Sequence, residues 1–274
     1  MNGFAHASCA WFYEAMTDHP SVPSASPNAL ANGLRVLQLL VDADAPLSAT
    51  EIARRVGLHQ SSASRILATL ADAGFARKTG PRSFAPDFGV LSLGAAAVDK
   101  FDLAHRPRAA MQAVADRAVG HTVALSILWR DQVIYFLRSS SRTEPRLFDA
   151  EGWPLHLSAP GMRLLLDLPE GDALTLLDKS RQRFGWAEPG PAAPGSAREA
   201  LDQARAALDH DCLLLDDWQA PGQRAAAITV DLPGHAPVAL SVAGRSDLLD
   251  PDTVRLVLHA GRRDVEAAMN QQSH

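Results

Sequence analysis

The sequence predicts an α+β protein with an N-terminal winged helix-turn-helix and a larger C-terminal α/β domain on an antiparallel sheet. Before residue 88, three short helical patterns lead into a basic hairpin. After residue 119, apolar residues recur first with the period of strands, then of helices, then of strands again, before a last helix. We therefore divide the chain into a flexible N-terminal arm (1–28), a winged helix-turn-helix (29–87), a connector helix (88–104) and a C-terminal domain (105–274).

Composition excludes several classes of protein. The chain has 274 residues, of which 47% are hydrophobic and 21% charged, so it can bury a full core. It has no run of about 18 apolar residues, so we expect no membrane span. Two cysteines, Cys9 and Cys212, are too few for a disulfide framework and fit a reducing cytoplasm. The ten histidines lack the spacing of zinc helices, so we expect no metal and no cofactor.

Charge is distributed unevenly along the chain. The net charge is −5, yet residues 29–86 carry seven basic and four acidic side chains, which leaves −8 for the rest. A basic module on an acidic body favours nucleic-acid binding by that module.

Local signals define the helix-turn-helix. Ser48 and Glu51 form the pattern of a capping box at the start of the second helix. Gly57 supplies its left-handed end, and Gly74 closes the third helix. Strands at 75–78 and 83–85 then flank a turn and predict a wing.

The third helix has the features of a recognition helix. Its first turn is short and polar, and the wing that follows is basic, which suits entry into the major groove with phosphate contacts from the side. The alternative is a small helical hairpin with a solvated polar face. The candidate residues for binding double-stranded DNA are Gln60, Ser61, Ser62, Ser64, Arg65 and Thr69 on the helix and Lys78 and Arg82 on the wing.

The C-terminal domain is predicted from two hairpins separated by helices. The strands are expected at 122–128, 133–138, 224–232 and 238–243. The helices are expected at 107–119, 158–168, 170–180, 197–208 and 251–269.

Several of these motifs resemble the IclR family of bacterial transcriptional regulators. Segments 47–53, 57–58 and 61–70 resemble its helix-turn-helix, and segments 152–161 and 238–244 resemble two motifs of its sensor domain. The resemblance runs from about residue 29 to 269. It implies a GAF-like sensor, an operator as partner, and a homodimer or homotetramer. Met162 stands where the family usually has Lys, and Ala225 where it often has Cys, so the family's operators and effectors do not transfer.

The resemblance also implies an effector pocket between the sheet and the helix after Ser158. We expect free N–H groups at that helix start to favour a small organic acid, carboxylic or aromatic. Apolar walls and polar contacts complete the expected site. Its residues are Leu147, Trp153, Ser158, Ala159, Pro160, Gly161, Asp216, Ala225 and Ser241.

Three further functions compete with that of a regulator. His156, Ser158 and Asp216 or Asp217 include the residue types of a hydrolytic triad, but Gly-x-Ser-x-Gly is absent, so we do not expect an enzyme. The second is a metal sensor, and the third is a redox switch through Cys212. Independently of function, the apolar stripe of Leu91, Val98 and Phe101 predicts contact between two chains.

Overall fold

The computed structural model describes residues 29–147, 152–186, 190–232 and 234–270. The described chain divides into two compact units, with the boundary along the sequence between Phe101 and Asp102. None of the described helices is long and apolar enough to cross a membrane.

The N-terminal unit is a winged helix-turn-helix, as predicted. Helices α1 (Ala29–Val41), α2 (Ala49–Val56) and α3 (Gln60–Asp72) pack around a common core, and α4 (Phe88–Val98) follows the wing. Strands β1 (Leu47–Ser48), β2 (Ala76–Lys78) and β3 (Ser83–Pro86) form an antiparallel sheet with β3 in the middle. The core contains Val36, Leu40, Ile52, Val56, Ala63, Leu67 and Phe84.

Local chemistry fixes the two helices of the motif. The Ser48 hydroxyl accepts a hydrogen bond from the Glu51 amide at 3.1 Å, which confirms the N-cap. The Glu51 carboxylate instead pairs with Arg55 one turn later, so only half of the capping box forms. Gly57 has φ of 73°, and its left-handed backbone ends α2 and turns the chain into α3.

The predicted connector helix 88–104 is wrong as a single helix. Helix α4 ends at Val98, and a short helix α5 (Asp102–His105) begins beyond the boundary between the units. The start of α4 lies close to the end of α3, since a Cβ on Gly89 would stand 2.5 Å from the carbonyl oxygen of Gly74. No residue of α4 is buried within its own chain.

The C-terminal unit is an antiparallel sheet covered by helices on both faces. Its strands are β4 (Thr122–Trp129), β5 (Gln132–Ser140), β6 (Thr143–Leu147), β7 (Trp153–Pro154), β8 (Leu208–Asp209), β9 (Cys212–Asp216), β10 (Gln223–Val230) and β11 (Val238–Arg245). The order across the sheet is β6-β5-β4-β11-β10-β9-β8, and β7 pairs with the end of β5.

The sheet separates two hydrophobic clusters, and a layer of helices covers each of them. Helices α6 (Arg108–Arg117) and α10 (Pro251–Asn270) cover one face and enclose the first cluster. A 3₁₀ turn (Leu155–Leu157) and helices α7 (Ala159–Leu165), α8 (Glu170–Phe184) and α9 (Ala197–Ala207) cover the other and enclose the second cluster. The residue alternation of a strand sends neighbouring side chains to different clusters, so cluster membership reports the face of each residue.

Strands β6 and β9 were absent from the sequence prediction. Strand β9 buries Cys212 and Leu213 on opposite faces, so its apolar run has no polar alternation to mark it as a strand. Strand β6 is an edge strand that contains Pro145, which weakens its strand signal.

Candidate functional sites

Helix α3 presents a polar surface over its first two turns. Gln60, Ser61, Ser64 and Arg65 are exposed, whereas Ser62 is half-buried. Thr69 is also exposed, and its hydroxyl donates to the Arg65 carbonyl at 3.1 Å. The first turn contains no acidic residue, so nothing there repels a phosphate.

The wing adds exposed cations beside α3. Lys78 on β2 and Arg82 in the following turn are both exposed. Within the described ranges, no carboxylate forms an ion pair with Arg65, Lys78 or Arg82. These three side chains are therefore available to an external anion.

The seven basic residues between positions 29 and 86 divide into two groups. Arg35 donates to the Val56 carbonyl at 2.9 Å, and Arg55 pairs with Glu51, so both have roles within the fold. Arg54 and Arg77 are exposed like the three predicted cations. The sequence analysis counted Arg54 and Arg77 in the charge of this region but did not name them as candidates for DNA binding. Their positions next to residues predicted to be buried indicate that they point to the surface.

In the C-terminal unit, the sheet face under α7 is lined by small residues. Ala225 and Ala227 on β10, Ser241 on β11 and Ala124 on β4 lie on it. Ser241 is buried, and its hydroxyl donates to the Ala124 carbonyl at 3.3 Å.

The start of α7 is closed by its own side chains. The Ser158 hydroxyl accepts a hydrogen bond from the Gly161 amide at 3.1 Å and lies 3.0 Å from the Tyr135 hydroxyl. Pro160 has no N–H, and Ser158, Ala159, Pro160 and Gly161 are all buried. The expectation of free N–H groups at Gly161 is therefore wrong, because the N-cap serine already satisfies that donor.

A narrow pocket opens beside this helix start. Its space is about 210 Å³, counted with its open mouth, and no part of it is wide enough for a water molecule. Two predicted effector residues, Ala159 and Ala225, line it. The other lining residues are Leu157, Leu215, Trp218, Gln219, Gln223 and Arg224. None of these six is in the predicted effector set, and Trp218 and Gln219 follow β9, a strand that the sequence did not reveal.

The other seven predicted effector residues are not among those that line this pocket, and for two of them the structure shows other contacts. Leu147 packs against the first cluster, on the sheet face opposite α7, so its assignment to the pocket wall is wrong. Asp216 is held by Arg224 through oxygen–nitrogen distances of 2.6 and 2.8 Å. Another nitrogen of Arg224 donates to the carbonyl of Leu249, which belongs to the first cluster. Arg224 is therefore fixed by two contacts, and the Asp216 carboxylate is engaged in an ion pair within the chain.

Trp153 lies at another part of the sheet from Ser241. It pairs across strands with Val133, and its side chain is 40% exposed. Ser241 pairs with Ala124, and Ala124 pairs with Arg138 on β5. Val133, the partner of Trp153, lies five residues before Arg138 on the same strand, so Trp153 and Ser241 are well separated along the strand direction. The structure therefore brings Ser158, Ala159, Ala225 and Ser241 to one region and leaves Trp153 at its margin.

The residues of the three competing functions do not form the required contacts. Ring nitrogens of His156 have no hydrogen-bond partner among the described residues, while Ser158 bonds to Tyr135 and Gly161, so no triad is assembled. Burial raises the pKa of the Cys212 thiol to about 11, which disfavours the reactive thiolate. The described part of the chain contains no group of three metal-binding side chains.

Comparison with known proteins identifies both parts of the chain. Residues 29–80 match the family model of the IclR helix-turn-helix domain. The HTH-type transcriptional regulator BhcR of Paracoccus denitrificans is 29% identical over 231 residues, which cover 79% of this chain and 77% of that protein. The probable transcriptional regulator SauR of Cupriavidus necator is 29% identical over 54% of this chain and 60% of its own length.

Solved structures share the whole architecture. An IclR family transcriptional regulator from Brucella abortus superposes with a TM-score of 0.71 at 24% identity, over 89% of this chain and 93% of that one. An IclR homologue from Microbacterium hydrocarbonoxydans, solved in complex with 4-hydroxybenzoate, gives a TM-score of 0.61 at 18% identity, over 88% of this chain and 99% of that one. The fold, the helix-turn-helix model and the curated relatives agree, and the chain belongs to the IclR family of bacterial transcriptional regulators.

Proposed function

We propose that this regulator binds an operator through α3 and the wing and that a small organic acid in the C-terminal unit changes its operator affinity. The proposal of DNA binding rests on three cations, Arg65, Lys78 and Arg82. They are exposed beside the polar start of α3, and none of them forms an ion pair in the described ranges. A protein that binds duplex DNA needs cations for affinity and polar side chains on a helix for sequence choice.

Residues of α3 divide by chemistry into two roles. Arg65, Gln60, Ser61 and Ser64 are assigned to base edges, since Arg pairs with guanine and Gln with adenine. Ser62 is half-buried, and the Thr69 hydroxyl is bonded to a carbonyl of its own helix. We therefore assign these two residues to supporting α3 and allowing its close approach to the DNA. Lys78 and Arg82 contact phosphates, where they supply affinity with little sequence preference.

The acid half of the proposal rests on the face of the sheet under α7. The Microbacterium homologue was solved with 4-hydroxybenzoate, an aromatic carboxylate. In this chain, Ala159 and Ala225 line the pocket with small side chains, and Leu157 and Trp218 offer apolar walls. Ser241 is buried on the same face of the sheet. The pocket is too narrow for water as it stands, so binding requires its walls to move apart, and that movement couples the ligand to the fold.

We further propose that the regulator acts in the cytoplasm as a homodimer or a pair of dimers. Phe88, Leu91, Leu93 and Phe101 are each at least 60% exposed on or next to α4. So many exposed apolar side chains are typical of a contact between chains, and two recognition helices in one dimer read a two-fold operator.

Selection of duplexes from a random library, followed by fluorescence anisotropy at several salt concentrations, tests the DNA proposal. We expect the enriched duplex to bind about 10³-fold or more tightly than random DNA. The same titration with and without small carboxylic acids tests the effector proposal. Equal affinity for enriched and random DNA would contradict sequence-specific binding, and an operator affinity that no acid changes would contradict the effector half alone.

A further inference from the structure

The loop between β9 and β10 forms one wall of the pocket beside the start of α7. This loop comprises residues 217–222, and its Trp218 and Gln219 both line the pocket. The sheet supplies a second wall through Leu215 and Ala225. The third wall is the start of α7 with the turn before it. The loop therefore separates the pocket from solvent on one side.

The two ends of this loop are tied to each other and to the sheet. Asp217 and Gly222 both have a left-handed backbone, with φ of 61° and 73°. The Asp217 carboxylate accepts a hydrogen bond from the Gly222 amide at 2.7 Å, and the Asp217 amide donates to the Gln223 carbonyl at 2.8 Å. The Gly222 carbonyl in turn accepts from the Ser246 amide at 2.8 Å. A loop whose ends are closed in this way can move at its tip while its base stays in place.

The tip of the loop is joined across the pocket to the turn before α7. The side-chain nitrogen of Gln219 donates to the carbonyl oxygen of Leu157 at 3.1 Å, and both residues line the pocket. Trp218 is buried in the second cluster and adds apolar packing to the closed position. One hydrogen bond between neutral groups shifts an equilibrium by about two- to tenfold. The bond of Gln219 therefore favours the closed loop, yet a ligand with its own acceptor can replace it.

Of the three walls, the loop is the one that can yield without disrupting the fold. All seven residues of α7 are buried, and β10 pairs with β11 over its whole length and with β9 on its other side. In contrast, Pro221 and Gly222 are exposed, so the outer side of the loop meets solvent. The pocket has about 210 Å³ including its mouth, whereas ligand sites usually have about 300–1,000 Å³. A ligand therefore needs one wall to move, and the loop meets that need.

We propose that loop 217–222 is a lid over the effector pocket and that the hydrogen bond from Gln219 to Leu157 is the latch that holds it shut. This inference rests on the proposed function, because it describes how an acid reaches the pocket assigned to it. An entering carboxylate accepts the N–H of Gln219 in place of the Leu157 carbonyl, so that donor stays satisfied while the lid is open.

Acrylamide quenching of Trp218 fluorescence on the full chain measures the opening of the lid, because the quencher must reach the indole. Each protein is prepared with and without Trp218→Phe, and the difference isolates Trp218 from the other four tryptophans. Gln219→Asn keeps a carboxamide that is one methylene too short, and Gln219→Leu keeps the size and loses the donor. Both variants should raise the quenching constant of Trp218 by about twofold or more.

Gln203→Leu is the matched control. Gln203 is a half-buried glutamine on α9, like Gln219 in burial, and its side-chain nitrogen donates to Glu199 at 3.0 Å. Its loss removes a bond of the same kind away from the lid and should leave Trp218 quenching unchanged. Urea unfolding of each variant separates local opening from a general loss of stability, since a lid opens without a matching fall in the midpoint.

Stopped-flow association of benzoate, 4-hydroxybenzoate and butyrate tests the lid with a ligand present. For each acid that binds, the two Gln219 variants should associate about twofold or more faster than the parent chain, because their open state is more populated.

Three results would overturn the proposal. They are Trp218 quenching that is equal in the parent chain and both Gln219 variants, an equal rise in Gln203→Leu, and association rates that the Gln219 variants leave unchanged. If none of the three acids binds while both Gln219 variants still raise quenching, the lid stands and the effector half of the proposed function fails.

Discussion

The imidazole of His156 lies flat against the indole of Trp186, with ring centroids 4.1 Å apart and 11° between the planes. His156 is fully buried, and its ring nitrogens have no hydrogen-bond partner in the described ranges. Burial without a counter-charge disfavours the imidazolium and lowers the pKa of His156 to about 4.

This stacked histidine predicts a loss of stability in acid. An unfolded chain takes up the proton near pH 6.5, whereas the folded chain resists it down to about pH 4, so the free energy of unfolding falls as the pH drops through that window. His156→Phe keeps the stacked ring and removes the titration. Urea unfolding should show that its loss between pH 7.5 and 4.5 is about 2–3 kcal/mol smaller than that of the parent chain.

His59→Phe is the control for acid stability, because His59 is exposed and its side chain forms no cap hydrogen bond. It should leave the pH dependence as in the parent chain. Identical acid losses for His156→Phe and the parent chain would show that His156 titrates normally in the fold.

The DNA surface predicts two kinds of mutant. Arg65→Ala should cost about 1–3 kcal/mol on the selected duplex and little on random DNA, because it removes a base contact. Lys78→Ala should weaken all duplexes similarly and reduce the slope of log affinity against log salt by about 1. Arg263→Ala, an exposed arginine of α10, is the control and should change neither quantity. Equal losses on both duplexes for Arg65→Ala would refute its assignment to a base.

The exposed apolar surface at α4 predicts an oligomer that two charges can dissociate. Leu91 and Phe101 are 67% and 61% exposed, so Leu91→Asp with Phe101→Asp should leave the single chain folded. Light scattering after gel filtration should show a lower mass than the parent chain. Leu256→Asp on α10, where the leucine is 72% exposed, is the control for a surface charge. A double variant that is folded and unchanged in mass would place the interface elsewhere.

Position 159 predicts a sharp difference between two small substitutions. Ala159 is fully buried and belongs to the second cluster, so Ala159→Asp introduces a charge with no partner into the core. We expect it to destabilise the C-terminal unit by several kcal/mol in thermal or urea unfolding. Ala159→Ser is the matched control and should cost much less. A stable Ala159→Asp variant would mean that this region opens to solvent.

The sequence was most informative where a single residue determines the backbone. Ser48, Gly57 and Gly74 each have a conformational role that their residue type indicates. The prediction of the helix-turn-helix rested on these three residues. The connector differed because none of its residues is a strong helix terminator, so the end of α4 at Val98 had no sequence signal.

The face of a residue on the sheet was harder to predict than the presence of the sheet. Leu147 was assigned to the wrong face because its position depends on the register of β6, a strand without a clear pattern. The β-bulge that sends Arg138 to the α7 side of the sheet is likewise a property of the pairing of β5 with β4. Such shifts arise between strands, and a single strand's sequence does not encode them.

The buried thiol of Cys212 makes this regulator convenient for spectroscopy. Maleimide dyes need an accessible thiolate, and Cys212 is 1% exposed with a pKa near 11, so it should remain unlabelled at neutral pH. Replacement of Cys9, the other cysteine of the sequence, would then give a background in which an introduced surface cysteine takes up the dye alone. In the proposed dimer, a donor at Thr79 in the wing of one protomer and an acceptor at Thr79 in its partner would report the separation of the two recognition helices as a candidate acid is added.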